Sequence, residues 1–329
     1  MKPSQGEKVG KYIIEKPLSG PGTLGARVAL TSDKGKKRVI KYYPKEGIKS
    51  TDDRKIIKSL IENEVKTLKY LKEELKEPNK VIVDEFDHSS ADNYYIVLEY
   101  LPNGTLLDFI NYLHKHNKMT EELAKAIFKN LLDLVNEIHK CNVSHLDLKP
   151  ENIMFDEKGE MRLIDFGHSR RSGSGVKIIH PGIGTHGVAA PEIPRKNPIR
   201  DPVKPLVKDT KRPYIPKPAD VFSLGVTLFT LYFFRFPFEI CNETNEEYGL
   251  IIKEKYEEFW THWHKKLGPK YLSASKELKL LIIFMILNLP EARLALSEVM
   301  NSPWIKSTTQ NGYEELNVEI RNLVINSKQ

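Results

Sequence analysis

Cysteine is scarce in this chain of 329 residues, which contains only two. Cys141 and Cys241 lie a hundred residues apart, with neither CxxC spacing nor the histidine pattern of a zinc site. This scarcity excludes a disulfide framework and a cysteine-ligated zinc site as the basis of the fold. We expect both cysteines to be buried thiols.

Long hydrophobic runs are lacking as well. The longest, residues 221–234 and 280–287, fall short of the ~20 residues that span a bilayer. The first residues form no apolar signal core, residue 2 is not the glycine that myristoylation requires, and the last four residues contain no cysteine for prenylation. We therefore expect no membrane association and an intracellular protein, cytoplasmic with the nucleus as the alternative.

Acidic residues are too few to balance the basic ones, and the net charge is +7. The excess is concentrated in residues 193–218, which hold eight Lys or Arg, two Asp and seven of the 20 prolines. We call this segment the basic insert and predict an extended, solvated loop. Because no nucleic-acid-binding module or aromatic stacking array accompanies it, we expect no nucleic acid partner. An acidic docking partner or substrate is the alternative to a passive loop.

The order of the periodic segments predicts the fold class. Residues 12–43 alternate short β-favouring runs with glycine-rich or charged turns, which predicts an antiparallel meander. Further strands are predicted at 81–86 and 94–100, around an amphipathic helix at 52–75. Helical periodicity then prevails, in residues 105–114, 120–140, 219–234, 246–264 and 275–289, with a weak stripe after 307. Strands first and helices after predict an α+β fold with segregated lobes.

One short stretch of sequence combines a base, a cation and two metal ligands. Asp147 and Lys149 are followed by Asn152, and Asp165 comes thirteen residues after Asn152. Transfer of a γ-phosphoryl group requires a carboxylate near the attacking hydroxyl, a fixed positive charge and hard oxygen ligands for Mg²⁺. The stretch therefore predicts phosphoryl transfer from ATP, with Mg²⁺, or Mn²⁺ as an alternative, as the metal.

The same stretch resembles the signature of eukaryotic protein kinases, H-R-D-L-x-x-x-N followed by D-F-G, with Leu146 in place of the arginine. Other family motifs occur in the family's order, namely Val39-Ile40-Lys41, Glu64, Gly184-Thr185, Ala190-Pro191-Glu192, Asp220 and Arg293. The resemblance covers about residues 10–305 and implies the bilobal kinase fold. It implies a β-rich, nucleotide-binding N-lobe at 1–101, a helical C-lobe at 102–305 and a tail at 306–329. The Pro303-Trp304 pair is similar to the ending of calcium/calmodulin-dependent and related kinases.

The resemblance implies a role for each catalytic residue. Lys41 would hold the α and β phosphates, and Glu64 would fix Lys41 in an ion pair. Asp147 would orient the substrate hydroxyl and accept its proton. The remaining implied residues are Lys149 at the γ-phosphate, Asn152 and Asp165 as metal ligands, and Thr185 at the acceptor site. Lys149 matches the lysine of serine/threonine-directed members, so the expected substrates are proteins with Ser or Thr acceptors.

The resemblance also implies a nucleotide pocket. Adenine would bind the backbone of Glu99 to Leu101, beside Leu98 and under Val28 and Val39. The glycine-rich loop would contribute Gly20, Gly22 and Gly25. This loop departs from the family, because Val28 falls one residue later than usual and Pro21 has no N–H to offer a phosphate.

Leu146 is the second departure. A leucine cannot receive a phosphate from the activation segment, so we predict that activity does not require phosphorylation of Ser169, Ser172 or Ser174. Two other classes stay open. A pseudokinase would act as a scaffold or allosteric partner, and a small-molecule kinase of the aminoglycoside or choline type would be expected to lack Gly184-Thr185, residues 190–192 and Arg293. The sequence predicts no oligomeric state.

Overall fold

The fold divides into two units. The computed structural model describes residues 4–19, 23–44, 48, 50–90, 94–173, 175–178, 187–193, 213–268 and 272–326. The first unit comprises Met1–Pro102 and Arg162–Ser169, and the second comprises Asn103–Met161 and Arg170–Gln329. Residues 162–169, which contain Asp165, therefore group with the N-terminal unit, whereas the sequence had placed them in the C-lobe. Among the described residues, no helix combines the length and apolar character needed to cross a membrane.

The first unit is built on an antiparallel sheet, as the meander predicted. A hairpin of β1 (Lys8–Val9) and β2 (Tyr12–Ile13) precedes a five-stranded sheet of order β3-β4-β5-β7-β6. Its strands are β3 (Lys16–Pro17), β4 (Arg27–Asp33), β5 (Lys36–Tyr43), β6 (Glu85–Ser89) and β7 (Tyr94–Glu99). The strand predicted at 81–86 is wrong, because β6 begins only at Glu85. Val81, Ile82 and Val83 are buried, so their hydrophobicity reflects core packing rather than a strand of the sheet.

The two faces of this sheet differ in chemistry. Ala29, Ile40, Tyr42 and Val97 belong to a buried cluster on one face, which Tyr12 and Ile14 help to cover. The register pairs Val28 with Lys41 and Val39 with Leu98. Because paired residues point to the same side and alternate residues share a face, these four residues lie on the opposite face. The fold thus gathers the predicted adenine-contacting side chains around Lys41.

A single long helix, α1 (Thr51–Glu74), completes the first unit. It begins after Ser50, whose hydroxyl accepts the Asp53 N–H at 3.0 Å, a standard N-cap. Its buried stripe consists of Ile57, Ile61, Val65, Leu68 and Leu71. Glu64 is 1% exposed on the same helix, so its charge has to be balanced by a partner within the unit.

The second unit is mainly helical, as predicted. Its helices are α2 (Leu106–Lys115), α3 (Glu121–Lys140), α4 (Pro216–Phe233), α5 (Glu246–Ile252), α6 (Tyr256–Leu267), α7 (Lys276–Met285), α8 (Leu296–Met300), α9 (Pro303–Lys306) and α10 (Gln310–Asn326). Short strands β8 (Val143–Ser144), β9 (Ile153–Phe155) and β11 (Arg170–Arg171) flank the catalytic segment, and β10 (Met161–Leu163) leads into the first unit. Helix α4 is buried along almost its whole length and forms the centre of this unit.

Three of the predicted helices differ from the structure. The helix predicted at 219–234 already begins at Pro216, so the end of the basic insert is helical and not an extended loop. The single helix predicted at 246–264 is wrong, because Glu254 adopts a left-handed φ of 57° and separates α5 from α6. The helix predicted at 275–289 ends at Met285, ahead of the 3₁₀ turn Pro290–Ala292. The weak stripe after 307 forms α10, which packs against α3.

Candidate active site

Lys41 lies between two carboxylates in the first unit. Its Nζ is 3.1 Å from Glu64 Oε2 and 2.6 Å from Asp165 Oδ1. Strand β5 supplies Lys41, helix α1 supplies Glu64, and Asp165 follows β10. One ammonium and two carboxylates leave a net charge of −1 when all three are ionised. We call these three residues the lysine cluster.

Burial and neighbouring charges affect the pKa values of Lys41 and Glu64 differently. Burial disfavours the charged form of Lys41, but the negative charges of Asp165 and Glu64 outweigh it and raise the pKa of Lys41 well above its ordinary value. Burial raises the pKa of Glu64, and Asp165 adds to this effect, whereas Lys41 opposes it. Lys41 therefore stays protonated. Glu64 and Asp165 both pair with this ammonium group, which is the only cation in the lysine cluster.

The backbone at Asp165 is left-handed, with φ 62° and ψ 66°. This conformation costs a non-glycine residue about 1–2 kcal/mol, so surrounding contacts have to maintain it. A 3₁₀ turn at Phe166–His168 follows directly. The left-handed backbone of Asp165 therefore depends on the contacts of the turn that follows it.

The sequence analysis missed two polar residues of the first unit and considered a third, Ser169, only as a phosphorylation site. Asn63 and Thr67 lie on α1, and their side chains contact the segment that follows Asp165. Ser169, at the end of this segment, is fully buried. The one available signal was the presence of polar side chains beside Glu64 on a helix whose buried stripe is otherwise apolar. That signal alone does not reveal which segment the side chains contact.

In the second unit, Asp147 is held by two donors from its own loop. Lys149 Nζ donates to Asp147 Oδ2 at 2.7 Å, and Asn152 Nδ2 donates to the same oxygen at 2.9 Å. Asn152 Nδ2 also donates to the Asp147 carbonyl oxygen at 2.8 Å. Asp147 and Asn152 are each 5% exposed. We call these three residues the aspartate cluster.

Asp220, on α4, fixes the backbone of the same loop. Its carboxylate accepts the N–H groups of His145 and Leu146 at 2.8 and 2.7 Å. His139 Nε2 lies 2.8 Å from the same carboxylate. Leu146 has a φ of 63° and is 5% exposed. The leucine that replaces the family's arginine is therefore buried, in a left-handed backbone that Asp220 stabilises through its N–H.

An Arg–Glu pair closes the far end of the activation segment, as the resemblance implied. Arg293 donates through Nη1 to Glu192 Oε1 at 2.6 Å and through Nη2 to Oε2 at 2.8 Å. Further donations reach the carbonyl oxygens of Leu287, Asn288 and Pro218. This bidentate, buried pair has a structural role, because every polar nitrogen of the guanidinium is occupied by protein.

The remaining predicted residues are only partly described. Leu98 and Leu101 are buried, and the Glu99 N–H donates to Asp84 O at 2.9 Å. Gly25 has a φ of +79° and ends the 3₁₀ turn Thr23–Gly25. Gly20, Gly22, Thr185 and most of the basic insert lie outside the described residues. The structure thus gathers Val28, Val39, Lys41, Glu64, Leu98 and Asp165 in the first unit, and Asp147, Lys149 and Asn152 in the second.

Each of the two clusters offers an oxygen atom that fits a divalent cation. Mg²⁺ binds one or two protein oxygens and completes its shell with water and phosphate. Asp165 offers a carboxylate in a cluster of net charge −1, which a cation would offset. Asn152 directs its Nδ2 at Asp147, which leaves the amide oxygen as the ligand atom of this side chain.

Comparison with known proteins agrees with this chemistry. The model of the protein kinase domain matches residues 14–305. CBL-interacting serine/threonine-protein kinase 26 of Arabidopsis thaliana is 31% identical over 312 residues, which cover 93% of this chain and 61% of that protein. The SNF-related serine/threonine-protein kinase of Homo sapiens is 28% identical over 317 residues, which cover 96% of this chain and 36% of that protein.

These matches define the class of the protein. The chain belongs to the protein kinase family, and the two relatives above are named as serine/threonine-protein kinases. The predicted α+β kinase fold is thereby confirmed. The chain spans only 61%, 58% and 36% of the length of three of the curated relatives it matches.

Proposed function

We propose that this chain transfers the γ-phosphoryl group of ATP to Ser or Thr hydroxyls of proteins. The observation that carries the proposal is the lysine cluster, in which Lys41 contacts both Glu64 and Asp165. A lysine held in this way presents a fixed positive charge for the α and β phosphates. Membership of the kinase family and the names of the relatives support the acceptor class.

The aspartate cluster performs the transfer step. The acceptor oxygen bonds to the γ-phosphorus, the bond from that phosphorus to the β–γ bridging oxygen breaks, and ADP leaves with the electron pair. Asp147 orients the hydroxyl and takes its proton, while Lys149 offsets negative charge on the transferred group. Asn152 and Asp165 would be the protein ligands of Mg²⁺, which would supply further neutralisation of the phosphates. Asn152 has a second task, because its hydrogen bonds keep Asp147 in place.

The nucleotide pocket follows from the sheet. Val28, Val39 and Leu98 share the face of Lys41, so adenine packs against this apolar surface. Glu99 to Leu101 supply backbone groups to the base. Gly20, Gly22 and Gly25 cover the phosphates, and Thr185 lines the acceptor site. These roles rest on the family resemblance.

Activity in our proposal does not depend on phosphorylation of the activation segment. Leu146 is buried and has no group that binds phosphate. Ser169 is fully buried and Ser172 is 9% exposed, so neither hydroxyl is open to a modifying enzyme in this conformation. Ser174 lies outside the described residues. Treatment with a phosphatase should change the rate of peptide phosphorylation by the purified protein by less than about twofold. A change of this size is no larger than the usual effect of a surface substitution. A rate that collapses after this treatment, and recovers on rephosphorylation, would contradict the proposal.

The alternative is a pseudokinase that binds partners without turnover. The feature that favours it is the irregular glycine-rich loop, in which Pro21 lacks an N–H. The basic insert is suited to an acidic docking partner in either case, because it holds eight Lys or Arg and two Asp. Deletion of residues 195–215 that left substrate selection unchanged would exclude this docking role.

The deciding experiment measures transfer of γ-phosphate from Mg·ATP to a library of Ser- and Thr-containing peptides. Wild-type protein should phosphorylate the library, and Asp147→Asn should do so about 10²- to 10⁴-fold more slowly, although it still binds nucleotide. Nucleotide binding by both proteins without any transfer would favour the scaffold. Absence of nucleotide binding in folded wild-type protein would overturn the proposed function altogether.

A further inference from the structure

Asn63 contacts the turn after Asp165 at several points. Its Nδ2 lies 3.1 Å from Phe166 O, 3.0 Å from Gly167 O and 3.0 Å from Ser169 O. Asn63 immediately precedes Glu64 on α1. One amide group thus engages three backbone carbonyls of the segment that carries the proposed metal ligand.

Two hydroxyl groups extend this contact. Ser169 Oγ donates to Phe166 O at 2.6 Å, and Thr67 Oγ1 lies 2.9 Å from Ser169 Oγ. Asn63 Nδ2 is also 3.3 Å from Ser169 Oγ. Asn63 and Thr67 are four residues apart and therefore lie on the same side of α1. The side chains of Asn63, Thr67 and Ser169 form what we call the turn network.

The turn network reduces the repulsion between backbone carbonyl oxygens in the turn. Carbonyl oxygens that converge in a tight turn repel one another, and buried carbonyls require donors. The amide of Asn63 is uncharged and offers two N–H groups to these carbonyls. Asn63 shares these two N–H groups among the three carbonyls, of which Phe166 O also accepts hydrogen bonds from the Ser169 N–H and Ser169 Oγ. The shared bonds hold the turn that follows Asp165, whose left-handed backbone is intrinsically unfavourable.

The same contacts link two members of the lysine cluster. Glu64 lies on the helix that carries Asn63, and Asp165 lies in the turn that Asn63 binds. Displacement of the turn relative to α1 would change the distance from Asp165 to Lys41, now 2.6 Å. Loss of the turn network would therefore alter the direction of the Asp165 carboxylate while all three charged residues remain present.

We propose that Asn63 is a positioning residue, which joins α1 to the turn after Asp165 so that the Asp165 carboxylate is held in its metal-binding orientation. The inference rests on the proposed function, because it assigns Asp165 to the metal. Thr67 and Ser169 support Asn63 by completing the hydrogen bonds of the turn. Asn63 acts through Asp165 and contacts no substrate.

The test compares isosteric and conservative variants. Asn63→Asp keeps the shape of the side chain but points a carboxylate at three carbonyls, and Asn63→Ala removes the donor. We expect kcat to fall by about 10- to 100-fold, as for a shift of about 1 Å at a reacting group, with a larger loss for Asn63→Asp. The Mg²⁺ concentration that gives half-maximal rate should rise in both variants. Lys66→Ala, an exposed position on the same helix, should match the wild type in both measurements.

Thr67 supplies a second pair in case the Asn63 variants fold poorly. Thr67→Ser retains the hydroxyl and should behave as wild type, whereas Thr67→Val retains the shape and should lower kcat and raise the Mg²⁺ requirement. Equal Mg²⁺ requirements in Thr67→Val and Thr67→Ser would overturn the proposal. So would an Asn63→Asp variant that loses thermal stability but keeps the wild-type kcat and Mg²⁺ dependence.

A readout without catalysis separates this inference from the proposed function. The affinity for ADP, measured by calorimetry with and without Mg²⁺, should show a smaller metal-dependent gain in Asn63→Ala than in wild type. If the wild type gains ADP affinity with Mg²⁺ but phosphorylates no peptide, the proposed function fails. The positioning role can still be tested in that case by comparing the gain in ADP affinity between the two proteins. If the gain is equal in both proteins, the positioning role fails even when transfer is active.

Discussion

The lysine cluster and the aspartate cluster differ in charge and in origin. In the first, one cation lies between two carboxylates, and in the second one carboxylate lies between two donors. The contacts of Lys41 join residues 23 and 124 positions apart, whereas those of Asp147 span two and five positions. The first cluster therefore depends on the packing of a strand, a helix and a turn, and the second is assembled by one loop.

Because the two clusters are assembled in different ways, different substitutions should disturb them. A change in the packing of α1 or of the turn after Asp165 should disturb the lysine cluster and leave the aspartate cluster intact. The local loop should instead respond to its own residues and to its anchor, Asp220. Substitutions that break one cluster at a time test whether the two are separable.

Asp147→Asn should have the largest effect. It removes the proton acceptor but keeps the shape of the side chain, so kcat should fall by about 10²- to 10⁴-fold, the usual contribution of a general base. Nucleotide affinity should be unchanged, because the lysine cluster is untouched. Rates of peptide phosphorylation and ADP affinity measure the two effects. Asp133→Asn, on an exposed part of α3, is the matched control.

Lys41→Met should break the other cluster. It leaves the carboxylates of Glu64 and Asp165 without their shared ammonium, and the phosphates lose a fixed charge, so kcat/KM should fall by about 10²- to 10³-fold. In contrast to Asp147→Asn, ADP affinity should fall as well. Lys36→Met, an exposed position on the same strand, controls for the loss of charge. Wild-type ADP affinity in Lys41→Met would mean that the cluster does not bind the phosphates.

Asp220→Asn tests how local the aspartate cluster is. The carboxylate accepts the N–H groups of His145 and Leu146, and hydrogen bonds to a charged group contribute about 1.5–3 kcal/mol. We expect a loss of unfolding free energy in this range, with a moderate fall in kcat, because the backbone before Asp147 loses its anchor. Denaturant titration gives the stability. A stable variant with wild-type kcat would show that the loop holds its own shape.

The same contrast explains what the sequence could predict. Asp147, Lys149 and Asn152 were recognisable because they fall in one short stretch that resembles the family's signature. Lys41, Glu64 and Asp165, whose contacts span 23 and 124 positions, were recognisable only through the family resemblance. Asn63 was not recognisable, because its contacts reach residues 103 to 106 positions away and only the folded chain brings them together. The order of strands and helices predicted the α+β fold through the periodicity of apolar residues. The break at Glu254 was missed, because no proline or glycine marks the left-handed residue.

The smallest expected effect concerns pH. Burial raises the pKa of Glu64 above 4.5, so this carboxyl takes up a proton at a higher pH than an ordinary glutamate. Protonated Glu64 no longer forms an ion pair with Lys41, so ADP affinity should decline as the pH falls toward the raised pKa. A carboxyl with a raised pKa in the folded state has the opposite effect on stability. Its contribution is present at low pH and is lost as the pH rises through the folded pKa.

Comparison of wild type with Glu64→Gln isolates this titration. As the pH falls from neutrality toward the raised pKa of Glu64, the wild type should lose ADP affinity more steeply than Glu64→Gln, which has no proton to gain. Over the same interval its melting temperature should change in the stabilising direction relative to Glu64→Gln, because acidification removes a buried charge that Lys41 only partly balances. Affinity and relative stability would then move in opposite directions. Parallel pH profiles for the two proteins would assign the titration to another group and leave the lysine cluster insensitive to pH in this range.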